Sequence, residues 1–144
     1  MRALFDVSML LALFDRAHVF NAAARQWWVE NQDHGWASCP LTENGFLRVV
    51  SQRGYSSPLP LADALSMLRA WAVPVRHAFW PDDVSLLDPK VFDHRHVLGP
   101  GQLTDVYLLA MAVKHGGRFV TFDRGISLQA VRGASAKHLD LVGS

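Results

Sequence analysis

Four carboxylates stand at the edges of strongly apolar blocks, where a soluble domain rarely places an acid. Asp6 ends Ala3-Leu4-Phe5, and Asp123 ends Phe119-Val120-Thr121-Phe122. Glu43 and Asp105 each follow a threonine, Thr42 and Thr104, and each opens an apolar run with helical spacing. In a parallel α/β fold, strand C-termini and the helix starts that follow them share one edge of the sheet, so two strand ends and two helix starts can face one crevice. Carboxylates gathered there repel one another unless something positive joins them. Hard oxygen donors of this kind suit Mg²⁺ or Mn²⁺. The pattern points to metal-dependent hydrolysis of phosphate esters.

The remaining sequence alternates short strands with helices. Arg2 to Asp6 reads as a strand, Met9 to Phe14 as a helix, and His18 to Gln32 as a second helix with Val19, Ala22, Ala23, Trp27 and Val29 on its apolar face. Trp36 to Cys39 is a second strand. Pro40 and Thr42 then start a helix through Val50, with Thr42 as its cap and Glu43 at its positive end. Pro60 opens a helix to Trp71, and Val75 to Trp80 gives a third strand. From Pro81 to Gly101 the pattern is irregular, with one short helix expected at Asp83 to Leu87. Thr104 to His115 is a helix closed by Gly116-Gly117. Arg118 to Phe122 is the fourth strand, Ile126 to Val131 a turn or short helix, and His138 to Val142 the last strand. This alternation predicts an α/β fold: one domain over residues 1–144, with a mostly parallel sheet of four to five short strands flanked by helices.

Other chemistries lack their signatures. Cys39 is the only cysteine, which excludes a disulfide framework or a thiolate cluster and fits a reducing cytoplasm. The apolar stretch to Phe14 is interrupted by Asp6 and closed by Asp15, unlike a secretory leader, and no run approaches a membrane span. Neither a Gly-x-Ser-x-Gly elbow nor a glycine-rich phosphate loop is present. His94 and His96 have no third ligand at matching spacing and read as loop residues. The formal net charge is +1, so bulk electrostatics do not announce a nucleic-acid binder.

The blocks Leu4-Phe5-Asp6-Val7-Ser8, Leu41-Thr42-Glu43-Asn44-Gly45-Phe46-Leu47-Arg48-Val49, Leu103-Thr104-Asp105-Val106-Tyr107-Leu108-Leu109-Ala110 and Phe119-Val120-Thr121-Phe122-Asp123-Arg124-Gly125 occur in this order. Together they resemble a PIN domain, and more narrowly the VapC-type ribonuclease toxins of bacterial toxin–antitoxin pairs. The resemblance spans the chain. It implies a Mg²⁺-dependent endoribonuclease with Asp6 and Asp105 as core metal ligands. Glu43 and Asp123 would complete the acidic pocket, Asp123 as a further ligand, with Ser8 and Thr121 supporting it by hydrogen bonds. Two positions depart from the pattern: Val7 stands where many relatives carry threonine, and Gly125-Ile126 where an acidic or aromatic pair is common.

Several expectations follow from this reading. Arg16, Arg48 and Arg124, close in sequence to the acid blocks, are the expected rim for RNA phosphates, with single-stranded or looped RNA favoured over a duplex. Trp27 and Trp28 adjoin on one helix, so one of them is expected to meet a partner. A cognate antitoxin is expected over Trp27, Trp28, Phe46, Leu61 and Leu65, and the chain is expected to form a symmetric homodimer. Two competing readings are a phosphoacceptor signalling domain and a catalytically silent binding module of the same fold. The first would carry two adjacent acids after the first strand and a lysine after the last, and neither is present here.

Overall fold

The computed structural model describes residues 1–143. Five short strands form one parallel sheet in the order β3-β2-β1-β4-β5. They are β1 (Ala3–Phe5), β2 (Trp36–Ser38), β3 (His77–Phe79), β4 (Arg118–Thr121) and β5 (Leu139–Leu141). The helices are α1 (Val7–Phe14), α2 (Asn21–Asn31), α3 (Pro40–Ser51), α4 (Leu61–Trp71) and α5 (Leu103–Lys114). The expected α/β class and parallel sheet are what the chain adopts. None of the helices among the described residues is long and apolar enough to cross a membrane.

Side chains alternate across the sheet, as the two-residue period of a strand requires. Ala3, Phe5, Trp36 and Val120 enter one core beneath α1 to α4, while Leu4, Ala37 and Phe119 enter the other against α5. β1 and β4 are buried on both faces, which is why they read as unbroken apolar runs. α5 is buried over the whole stretch Val106 to Ala112. The irregular chain around Phe92 covers its far side, pinned by Asp93 N–H to Ala130 C=O at 3.0 Å and Arg132 N–H to Val91 C=O at 2.8 Å.

The differences from the sequence reading have local causes. The second helix begins at Asn21, not His18, because the preceding residues spend their hydrogen bonds on tight turns. Asp15 Oδ1 accepts from Ala17 N–H, and His18 Nδ1 from Phe20 N–H. Val19 and Val29 are exposed, and the residues α2 buries are Ala24 and Trp27. The third helix begins at Pro40, and Cys39 rather than Thr42 is its cap. Thr42 lies inside the first turn, where its Oγ1 accepts from Cys39 N–H at 3.1 Å. No helix forms at Asp83 to Leu87, where the Asp83 carbonyl accepts from Lys114 Nζ at 2.9 Å and Ser85 Oγ accepts from Leu87 N–H. Between Ile126 and Val131 the structure has one 3-10 turn, Leu128–Ala130.

Trp27 is buried and Trp28 half-buried. Both meet Phe5 edge-on, at ring-centroid distances of 5.7 and 6.1 Å. Phe46 is fully buried. Of the expected docking surface, Leu61 and Leu65 on α4 remain exposed, and a cavity of about 250 Å³ at the other end of α4 is lined by Trp28, Trp71 and Val73.

Candidate active site

The strand order reverses between β1 and β4, since β2 and β3 lie to one side and β5 to the other. A crevice forms outside the strand ends at such a point. Asp6 follows β1 and Asp123 follows β4 by two residues, while Asp105 sits in the first turn of α5. The Asp6 N–H donates to Val120 C=O at 3.1 Å, which locks the two strand ends together.

Two hydroxyls fix Asp6. Thr121 Oγ1 donates to its Oδ2 at 2.7 Å and Ser8 Oγ to the same oxygen at 2.9 Å. Thr121 Oγ1 also accepts from Asp123 N–H at 3.1 Å, so one buried side chain sets both acids. Asp123 is held further by Gly125 N–H, which donates to its Oδ1 at 2.8 Å. A side chain at 125 would press on that carboxylate, its Cβ falling 3.3 Å from Oδ1. The glycine that departs from the family pattern thus lets the backbone close on Asp123.

Asp105 and Asp123 lie close enough for a protonated Asp105 carboxyl to donate to Asp123. Burial raises the Asp105 pKa to about 7, helped by that bond and by the charges of Asp6 and Asp123. Asp123 moves the other way, lowered first by its bond to Asp105 and then by the Gly125 amide. Below neutral pH a proton on this pair therefore favours the more buried Asp105, as close carboxylates retain one when nothing else offsets their repulsion. The donor set is hard oxygen throughout, which fits Mg²⁺ or Mn²⁺. Among the described residues no three His, Cys, Asp or Glu side chains close into a cage for a metal ion. Mg²⁺ does not require one, because it keeps several of its waters.

Glu43 belongs to a different set of contacts. It lies in the first turn of α3, and its Oε2 accepts from Ser38 Oγ at 2.6 Å. Asp6 and Asp123 act on Asp105, whereas Glu43 acts on His77 of β3. Glu43 thus has partners of its own, Ser38 and His77, beside the three aspartates.

Of the three expected rim arginines, Arg124 is exposed and adjoins Asp123 in the chain. Arg48 lies five residues beyond Glu43, turned about 140° away around α3. Arg16 lies past the far end of α1 from Asp6, beside Phe14, Ser57, Leu59 and Met67. His94 and His96 do not pair: His94 Nε2 meets Leu86 C=O at 2.7 Å, and His96 lies 3.9 Å from Asp93. Sequence reading missed Gln102, whose Nε2 donates to Gly125 C=O at 3.0 Å and ties the entry of α5 to the Asp123 loop. It also missed Ser38 and His77.

A family model for the PIN domain matches residues 3–132. Ribonuclease VapC44 of Mycobacterium tuberculosis is 52% identical over 139 residues, covering 96% of this chain and 98% of its own. Ribonuclease VapC39 of the same organism is 40% identical over 135 residues, covering 92% and 96%. The fold is shared with the crystal structure of Mycobacterium tuberculosis VapC20, a toxin that cleaves the sarcin–ricin loop, at a TM-score of 0.62 and 15% identity over 85% of this chain and 91% of that one. VapBC2 of Rickettsia felis, bound to a DNA fragment from its promoter, gives 0.57 at 11% identity over 85% and 89%. The chain belongs to the PIN-domain family and, within it, to the VapC ribonucleases.

Thr121→Val tests the support of Asp6. It keeps the shape of the side chain but removes the bond to Asp6 and the acceptor for Asp123 N–H. Ribonuclease turnover is expected to fall about 10–100-fold, the range for groups that orient a site's ligands. Stability should fall by roughly 1–3 kcal/mol, because the amide and carboxylate lose a buried partner. Undiminished cleavage by a folded variant would show that Asp6 needs no such support.

Proposed function

We propose that this chain is a Mg²⁺-dependent endoribonuclease and the toxin half of a toxin–antitoxin pair. One observation carries the reading: three carboxylates meet at the sheet's switch point, with Asp6 held by two hydroxyls, in a chain half identical to a ribonuclease VapC. Asp6, Asp105 and Asp123 would hold the ion, and Glu43 completes the acidic pocket. Bound there, Mg²⁺ supplies charge neutralisation for phosphoryl oxygens and an activated water. Asp6 presents a carboxylate oxygen fixed in direction, since Ser8 and Thr121 both occupy the other one. With the ion bound, Asp105 and Asp123 would both be held as carboxylates, the cation offsetting their repulsion. Arg124 is placed to meet a phosphate beside the acids, and single-stranded or looped RNA can bring one there where a duplex is too wide.

The phosphoacceptor alternative loses its one lysine near the final strand. Lys137 precedes β5, at the sheet edge opposite the acids. A silent binding module of the same fold is separated by activity alone. Antitoxin binding and homodimer formation belong to this proposal, supported by the exposed leucines: Leu61 and Leu65 on α4, and Leu41, Leu86 and Leu103 around a groove beside the starts of α3 and α5.

The test is cleavage of single-stranded RNA by purified chain with Mg²⁺, with chelator, and with Mg²⁺ restored, alongside thermal melts. Cleavage should require the ion, and saturating Mg²⁺ should stabilise the fold by about 2.7 kcal/mol at a hundredfold excess over Kd. Light scattering of the chain alone and co-expressed with its operon neighbour should show a dimer and a hetero-complex. Faster cutting of double-stranded DNA, or melting indifferent to Mg²⁺, would overturn the reading.

A further inference from the structure

Ser38 lies between two partners. Its Oγ is 2.6 Å from Glu43 Oε2 and 2.7 Å from His77 Nε2. A hydroxyl has one proton and a carboxylate can only accept, so that proton goes to Glu43. The hydroxyl must then accept from the imidazole, which fixes His77 as the tautomer protonated at Nε2. The chain of donation runs His77 Nε2–H to Ser38 Oγ–H to Glu43. We infer that His77 is a positioning residue, which through Ser38 fixes the direction of the Glu43 carboxylate in the ribonuclease pocket.

The sheet makes this contact available. Ser38 ends β2 and pairs with Phe79, while His77 pairs with Trp36, so Ser38 and His77 are diagonal neighbours on one face. The His77 ring packs on Trp36 at a centroid distance of 4.5 Å. Ser38 is buried, and Glu43 reaches it from five residues along the chain. Edge strand β3 carries none of the four acids, and this relay is its link to them.

The relay also explains why a histidine can stand beside an acidic pocket without quenching it. Burial lowers the His77 pKa, Glu43 opposes that, and Arg2, whose guanidinium bonds to Trp36 C=O and Arg76 C=O, reinforces it. The net direction is downward, so the ring is neutral at neutral pH. A neutral donor acting through a hydroxyl orients the carboxylate and leaves its charge intact. A protonated ring in direct contact would offset that charge and compete with a cation.

The inference rests on Glu43 serving the ribonuclease pocket, and the experiment separates the two. His77→Phe keeps the ring on Trp36 and removes the donor; His77→Gln keeps an amide donor; Ser38→Ala cuts the link from the other side. In the Mg²⁺-loaded enzyme, His77→Phe and Ser38→Ala should each lower kcat about 10-fold with KM nearly unchanged. The double variant should be no worse than either alone. His77→Gln should recover most of the loss, and ¹⁵N shifts of the wild-type imidazole should show the proton on Nε2. Wild-type kcat in Ser38→Ala, equal defects in His77→Gln and His77→Phe, or a proton on Nδ1 would each overturn the relay. If Glu43→Gln cleaves like the wild type, the pocket role of Glu43 fails and the positioning role falls with it. If Glu43→Gln is inactive while Ser38→Ala is not, the relay alone is wrong. Ser38→Ala decides the matter even where His77→Phe does not fold.

Discussion

Asp105→Asn should lose ribonuclease activity by at least two to three orders of magnitude while gaining stability at neutral pH. The activity loss follows from removing a charge that the cation and the developing transition state both require. The gain follows from the environment of Asp105. Its carboxyl is partly buried, donates to Asp123 when protonated and feels the charge of Asp6, which together put its pKa at about 7. The unfolded carboxyl titrates at 3.8. Below that pH both states are protonated and the residue costs nothing. As pH rises from about 4 towards 7, the unfolded state gives up the proton and the folded state resists, so the wild type progressively loses stability; above 7 the loss is constant.

Asparagine avoids this cost, because its amide can donate to Asp123 as the protonated carboxyl does, without a charge to desolvate. Each pKa unit corresponds to about 1.4 kcal/mol, and solvent access to the pocket reduces the sum, so the gain at pH 8 should be on the order of 1–3 kcal/mol. At pH 3 the two proteins should melt alike. Mg²⁺ should reverse the order by stabilising the wild type only. An acid that merely favours a helix start would behave oppositely, losing about 0.3–1 kcal/mol on neutralisation with cleavage unchanged. Chemical denaturation at both pH values, with and without Mg²⁺, separates the two outcomes. A variant less stable than the wild type at pH 8 without metal would show that the three carboxylates do not repel as described.

The elements that carry Asp6, Asp105 and Asp123 were legible because each signal is local. An apolar run with an acid at its end marks a buried strand meeting the crevice, and an acid opening a helical run marks a helix start. The strand-order reversal that brings these ends together lies in the order β3-β2-β1-β4-β5, which no local pattern fixes. Glu43 obeyed the same local rule, yet its partners are Ser38 and His77, set by the register of β2 against β3. A histidine on a short edge strand has no periodicity that distinguishes a relay from filler. Nearness in sequence to an acid block likewise does not give the turn of helix, which carries Arg48 away from Glu43. The start of α2 was misplaced because Asp15 and His18 spend their side chains on turns, a competition that hydrophobic spacing alone does not reveal.

Phe5→Ala should be the most destabilising truncation in the sheet, and its effect should reach the active site. Phe5 is the last residue of β1, one before Asp6, and is 1% exposed. It stacks on Trp36 at 5.4 Å and takes Trp27 and Trp28 edge-on, so a single ring joins β1 to β2 and α2. Three tryptophans cannot collapse into the space left by a phenyl ring without leaving their rotamers, so a cavity persists and adds its cost to the lost burial. The expected loss is about 3–5 kcal/mol, which for a chain of this size lowers Tm by roughly 10–17 °C. Phe5→Leu, which keeps most of the volume, should cost about 1 kcal/mol. Cleavage at low temperature, where Phe5→Ala remains folded, should also decline, because the Asp6 N–H bond to Val120 C=O and the Thr121 contact both depend on the register of β1 against β4. Equilibrium denaturation of the two variants measures the packing term, and a loss under about 1 kcal/mol for Phe5→Ala would mean that the tryptophan cluster stands without its central ring.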